Sequence, residues 1–167
     1  MRNRFRYNSL AKEAESPAKL EPLTPNAKLL VLAIAAQVLL TLLILLLMGR
    51  ERVPRVKSGE IPVADIAVDR TAYPLHARLL SNSFDNQFQL PVLFYLAAIL
   101  ALVFTTIGWI ELVLAWLFVA LRYAHAYVHI TTNRVYRRFA LYTAGLAVLA
   151  LLWLWLVLRL LVLAPSV

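Results

Sequence analysis

LLVLAIAAQVLLTLLILLLM, Leu29 to Met48, is twenty residues long and interrupted by only two polar side chains, Gln37 and Thr41. A bilayer's hydrocarbon core is about 30 Å thick and needs about 20 helical residues to cross it. With no water there to satisfy backbone N–H and C=O groups, such a segment must be helical. The preceding 28 residues are too long for the basic start of a secretory leader, and no small-residue cleavage motif follows Met48, so the helix is expected to be retained. The rest of the chain points the same way. Of its 167 residues 62% are hydrophobic, more apolar surface than one small core buries in water, which makes lipid the solvent.

Residues 1–28, with Arg2, Arg4, Arg6 and Lys12 and with Pro17, Pro22 and Pro25, cannot build a packed unit and read as a mobile basic arm. The remainder, 29–163, reads as one all-α domain, a four-transmembrane-helix bundle with helices at about 29–48, 75–104, 109–133 and 139–158. Gly49 to Pro74 is charged, carries three prolines and reads as a loop. Thr105, Thr106 and Gly108 make a short turn that should pack the third helix antiparallel against the second. Four spans put both termini on one side. Arg50, Arg52, Arg55, Lys57, Arg70, Arg134, Arg137 and Arg138 crowd the two other connections, which should therefore be cytoplasmic, with the C-terminus periplasmic in a bacterial inner membrane.

The formal net charge of +8 flanks apolar spans rather than forming a soluble basic domain, so membrane lipids, not nucleic acid, are the expected partner. The absence of cysteine excludes disulfides and protein thiolate chemistry, so any thiol must come from a substrate.

At 100° per residue, Arg78, Asn82, Asp85 and Gln89 fall within roughly 60° of one another on the second helix, with Asn86 at the border. On the third, Tyr123, Tyr127 and Arg134 lie within about 40°, beside a stripe of Arg122, His125, His129 and Asn133. Charge inside a bilayer is costly, so these groups face protein, water or an interface. Two readings follow: an anionic-ligand site, or polar groups that satisfy each other and lipid headgroups. His125 and His129 share a helical face as zinc ligands do, but no Glu or Cys completes a set, and no metal is expected. Glu111 suits helix capping or an interface position, and Gln37 suits a hydrogen bond between helices.

RYAHAYVHITTNR, Arg122 to Arg134, resembles the third-helix motif of the MAPEG family, and NQFQLPVLFY, Asn86 to Tyr95, resembles the second-helix motif of its bacterial members. The resemblance spans about Lys28 to Leu163. It implies a homotrimer that binds glutathione as co-substrate between subunits, near the cytosolic membrane face, and acts as a transferase or peroxidase on a lipophilic small molecule. It also implies that Arg134 stabilises the glutathione thiolate and that Arg122, Tyr123 and Tyr127 bind the peptide. Arg137 and Arg138 share the basic character of that connection and should mainly contact headgroups or solvent. On the second helix Asn82, Asn86 and Gln89 match the family's ligand-binding positions, but its arginine and glutamate are replaced. The alternative register, Arg78, Asn82 and Asp85, misplaces Pro91 by a turn. An uncharged Gln89 also suits a non-catalytic lipid-binding or scaffold protein of the same fold. A small transporter is a weaker third reading.

Overall fold

A computed structural model describes residues 22–67 and 69–163, which places most of the basic arm outside the described residues. Among the described residues, four helical segments are long and apolar enough to cross a membrane: Pro25–Lys57, Leu75–Phe104, Trp109–Ile130 and Val135–Val162.

Helix α1, Pro25–Lys57, opens with Thr24 accepting from the Ala27 N–H at 3.2 Å and with proline at its first position, where a missing N–H costs nothing. It runs nine residues past Met48, so the expected loop from Gly49 is helical as far as Lys57. Glu51 pairs with Arg55 one turn on, and Arg55 and Lys57 complement the negative end of the helix dipole. Pro54 interrupts one backbone bond, close enough to the helix end for water or headgroups to take up the freed carbonyl. The helix stops at Ser58, followed by Gly59 at φ 76°, which only glycine adopts freely.

The second span is not one helix. Helix α2, Leu75–Asp85, passes into a 3₁₀ turn, Asn86–Phe88, then breaks at Gln89 (φ −102°, ψ −105°) before α3, Leu90–Phe104. Pro91 causes the break, because it has no N–H for the Gln87 carbonyl and its ring would clash there in a continuous helix.

Helix α4, Trp109–Ile130, is tied at its start by Glu111, which accepts from the Gly108 N–H at 3.1 Å. Glu111 is therefore a cap, as expected, but it lies 1% exposed and ion-paired with Arg159, not in the interface. Arg159 also donates to the Thr106 carbonyl at 2.9 Å, and Asn26 donates to that of Ile107 at 2.9 Å, so the start of α1 and the end of the last span clasp the 105–108 turn.

At the other end α4 stops three residues early and α5, Val135–Leu158, begins four residues early. Asn133 makes the corner with φ 48°, a left-handed conformation asparagine tolerates, and its N–H bonds to the Val128 carbonyl at 2.8 Å.

Helix α4 packs most extensively against α5, then α1, while α3 lies on α5 and α1. The expected α3–α4 contact is made through Phe94 stacked on Phe118, ring centroids 4.9 Å apart and both fully buried. Leu30, Leu149 and Leu156 complete that core, and Leu39, Leu46, Val103 and Leu154 point outward, where lipid covers them. Trp153 donates to the Leu93 carbonyl at 3.2 Å and joins α5 to α3.

Candidate functional site

The break in the second span creates the site. In a continuous helix the Asn86 carbonyl would accept from the N–H of Leu90. Broken at Gln89, it accepts instead from Arg122 Nη2 of α4 at 2.9 Å. Asn86 Nδ2 donates to the Asn82 carbonyl at 2.9 Å and lies 3.3 Å from His129 Nδ1. Arg122 is 1% exposed, and its Nε and Nη1 have no partner among the described residues. His125 and His129 are buried, their ring centroids 5.6 Å apart, and each has a buried ring nitrogen without a partner among the described residues. Helix α5 adds Tyr142, its ring centroid 5.9 Å from that of His125, and Arg138, which donates to Asn133 Oδ1 at 2.6 Å.

Asn86, His125, Arg138 and Tyr142, with Val135 and Phe139 on the outer side, line an open cavity of about 250 Å³. Among the described residues its lining has one cation, Arg138, and several hydrogen-bond donors but no carboxylate, and the buried Arg122 is bonded to the lining Asn86. The nearest candidate, Asp85, is turned away and accepts from Arg70 of the preceding loop at 2.6 and 3.3 Å. That pairing raises the pKa of the Arg70 guanidinium. A buried arginine without an acid is expensive unless an anion joins it, so the arrangement is suited to a ligand's carboxylate or phosphate.

The residues singled out in the sequence divide. Asn86 and Arg122 are brought together. Asn82 contributes a backbone carbonyl, with its side chain exposed, and Gln89 is exposed at the break. The Tyr123 hydroxyl is taken up by the Ala36 carbonyl of α1 at 2.8 Å, and Tyr127 is 67% exposed. Arg134 does not share a helical face with those tyrosines, because α4 ends at Ile130; it is the exposed residue that precedes α5, next to the cavity-lining Val135. Arg138 is half-buried in the cavity wall rather than a headgroup contact like the exposed Arg137. Arg138 and Tyr142 are separated by one helical turn. Starting the fourth helix at residue 135 would have put both on one face in the sequence.

Gln87, outside the expected polar stripe, is buried and accepts from Gln37 Nε2 at 3.0 Å, which is the interhelical bond expected of Gln37. Beside this pair an apolar groove of about 320 Å³ runs between α1 and α3, lined by Val38, Thr41, Leu42, Phe88, Val92 and Tyr95 with Gln87.

Neither a curated protein nor a solved structure matches the chain. The model of the MAPEG family matches residues 30–158, from the first turns of α1 to the last residue of α5. That span includes every residue of the cavity and more than half of the chain, so this four-helix integral membrane protein belongs to the MAPEG family.

Proposed function

We propose that the protein binds glutathione, or a closely related anionic thiol, with one carboxylate in the cavity, and transfers the thiol to a lipophilic electrophile held in the bilayer. The observation that carries this reading is the carboxylate-free lining of Arg138, His125 and Tyr142, with the partly unpartnered Arg122 bonded to the lining Asn86. Bidentate guanidinium–carboxylate pairing matches such a cluster well. A cavity of about 250 Å³ takes only part of a tripeptide, so the rest of the ligand lies over Val135, where a second protomer of a trimer would cover it. There Arg134 can reach the thiol and favour its anion. The apolar groove at Phe88 and Tyr95 offers a place for the electrophile.

The test is conjugation of glutathione to an aromatic electrophile by detergent-purified protein, with thiolate absorbance on adding glutathione. Arg122→Gln and Arg138→Gln should each weaken glutathione binding roughly ten- to hundredfold, the effect of deleting one charge-assisted hydrogen bond. Arg137→Gln should leave it unchanged. Wild-type protein that neither ionises nor conjugates glutathione would overturn the reading. The apolar groove favours one alternative, a non-catalytic lipid-binding protein, for which Tyr95→Ala would weaken a fluorescent fatty acid while Arg122→Gln would not.

A further inference from the structure

A third recess lies where α1 leaves the bilayer. Leu45, Met48 and Gly49 form its apolar floor, Tyr73 of the following loop forms a wall, and Arg52 and Lys57 stand at its rim, enclosing about 520 Å³. A Cβ placed on Gly49 would meet nothing within 4 Å, so the recess is open at its floor rather than closed by packing.

The charge at its rim is uncompensated. The Arg52 guanidinium lies over the Tyr73 ring, 4.3 Å from the centroid, and its Nε is buried without a partner among the described residues. Nη1 reaches only the Met48 sulfur at 3.9 Å, a weak acceptor. The nearby acids are committed elsewhere, Glu51 to Arg55 and His76, and Glu60 to Arg55. Among the described residues no ion pair engages Arg52 or Lys57.

Depth identifies the occupant. The apolar run ends at Met48, so Leu45 and Met48 stand at the level of acyl chains. Arg52 lies about 6 Å and Lys57 about 14 Å further along the helix, in the headgroup layer. We propose that this recess binds an anionic phospholipid, with its phosphate between Arg52 and Lys57 and one acyl chain laid over Gly49 along Leu45 and Met48. The chain's own N-terminal residues are a poor occupant. They join the opposite end of α1, about 36 Å from Gly49 by helix rise, and Arg2, Arg4 and Arg6 repeat the sign of the rim. The site lies apart from the cavity at Asn86 and does not depend on the catalytic reading.

The test uses the full chain in neutral detergent, titrated with fluorescent phosphatidylglycerol and, separately, fluorescent phosphatidylcholine. Saturable binding with a preference for phosphatidylglycerol is expected. Removing both rim charges, Arg52→Gln with Lys57→Gln, should weaken phosphatidylglycerol roughly tenfold or more and erase the preference. Gly49→Leu should block the floor without touching any charge, and it keeps the test decisive if the double variant melts early. Arg137→Gln should change nothing. Equal affinity for the two lipids, wild-type affinity in both groove variants, or an equal loss in Arg137→Gln would overturn the proposal. So would complete disulfide linkage of two copies through a cysteine introduced at Val53, which would make the recess a protein interface.

Discussion

Gln37 and Gln87 illustrate how a single polar residue is tolerated at bilayer depth. Each is buried, at 0% and 2% exposure, and Gln37 Nε2 donates to Gln87 Oε1 across α1 and the 3₁₀ turn, while Gln37 Oε1 has no partner among the described residues. Gln87 Nε2 also donates to the Ser83 carbonyl at 3.0 Å. Gln37→Leu would leave Gln87 Oε1 without its donor, at a cost of about 1–3 kcal/mol. Gln37→Leu with Gln87→Leu should recover much of that loss, since replacing both partners removes the orphan. Thermal melting of the two single variants and the double variant in one detergent checks the sign of the coupling; strictly additive losses would mean that the bond contributes little. The arginines near the cavity invite a similar comparison. Arg138 lines the cavity whereas Arg134 is exposed beside it, so binding of a carboxylate without a thiol, such as γ-glutamylglycine, should fall in Arg138→Ala and persist in Arg134→Ala. Turnover with glutathione should fall in both.

Among the elements, the broken second span has the largest consequence. The break leaves the Asn86 carbonyl available to Arg122, which in turn holds the guanidinium beside the two histidines. Pro91→Ala restores the missing donor to the backbone ladder and should let α2 and α3 join, drawing the Asn86 carbonyl back into the helix. The expected outcome is a more slowly exchanging amide at Leu90 with weaker anion binding, read by hydrogen exchange and by titration on the same sample. Unchanged exchange across 86–91 would show that tertiary packing holds the break without proline. At the α4–α5 corner, Asn133→Gly preserves the left-handed backbone but removes the acceptor of Arg138, whereas Asn133→Ala imposes strain of about 1–2 kcal/mol as well. Asn133→Ala should melt below Asn133→Gly, and both variants should loosen Arg138.

At the scale of the whole molecule, one protomer leaves polar groups outside. Tyr127 is 67% and Tyr136 91% exposed, and Asn82 and Gln89 are exposed beside the broken span. Groups of this kind near a bilayer are better placed against protein or the aqueous interface than in lipid. Trimers are therefore expected in mild detergent, and native mass spectrometry showing monomers alone would remove the intersubunit part of the proposed site. Orientation belongs to the same scale. Eight Lys and Arg residues lie in the helix ends and connections between the first and second and between the third and fourth spans, so a reporter fused after Val167 should read on the opposite face, outside the cytoplasm. A cytoplasmic signal would reverse the topology.

The four spans were legible in the sequence because insertion into lipid depends on summed hydrophobicity and backbone satisfaction, both properties of a contiguous segment. The motif around Arg122 to Arg134 likewise led to the family without reference to any contact. The cavity was not legible in this way. Extrapolating one helical period through Gln89 and through Asn133 placed Gln89 and Arg134 in the stripes, yet backbone breaks at both residues change where the following side chains point. His125, read in the stripe with Arg122, and Arg138, read as a headgroup residue, came to line the same space as Asn86, and Tyr142 joined them. Their meeting depends on how α2, α4 and α5 pack at one end of the bundle. Tertiary structure decided it because hydropathy records how deep a residue sits, while the direction a side chain faces is set by where each helix starts, breaks and stops.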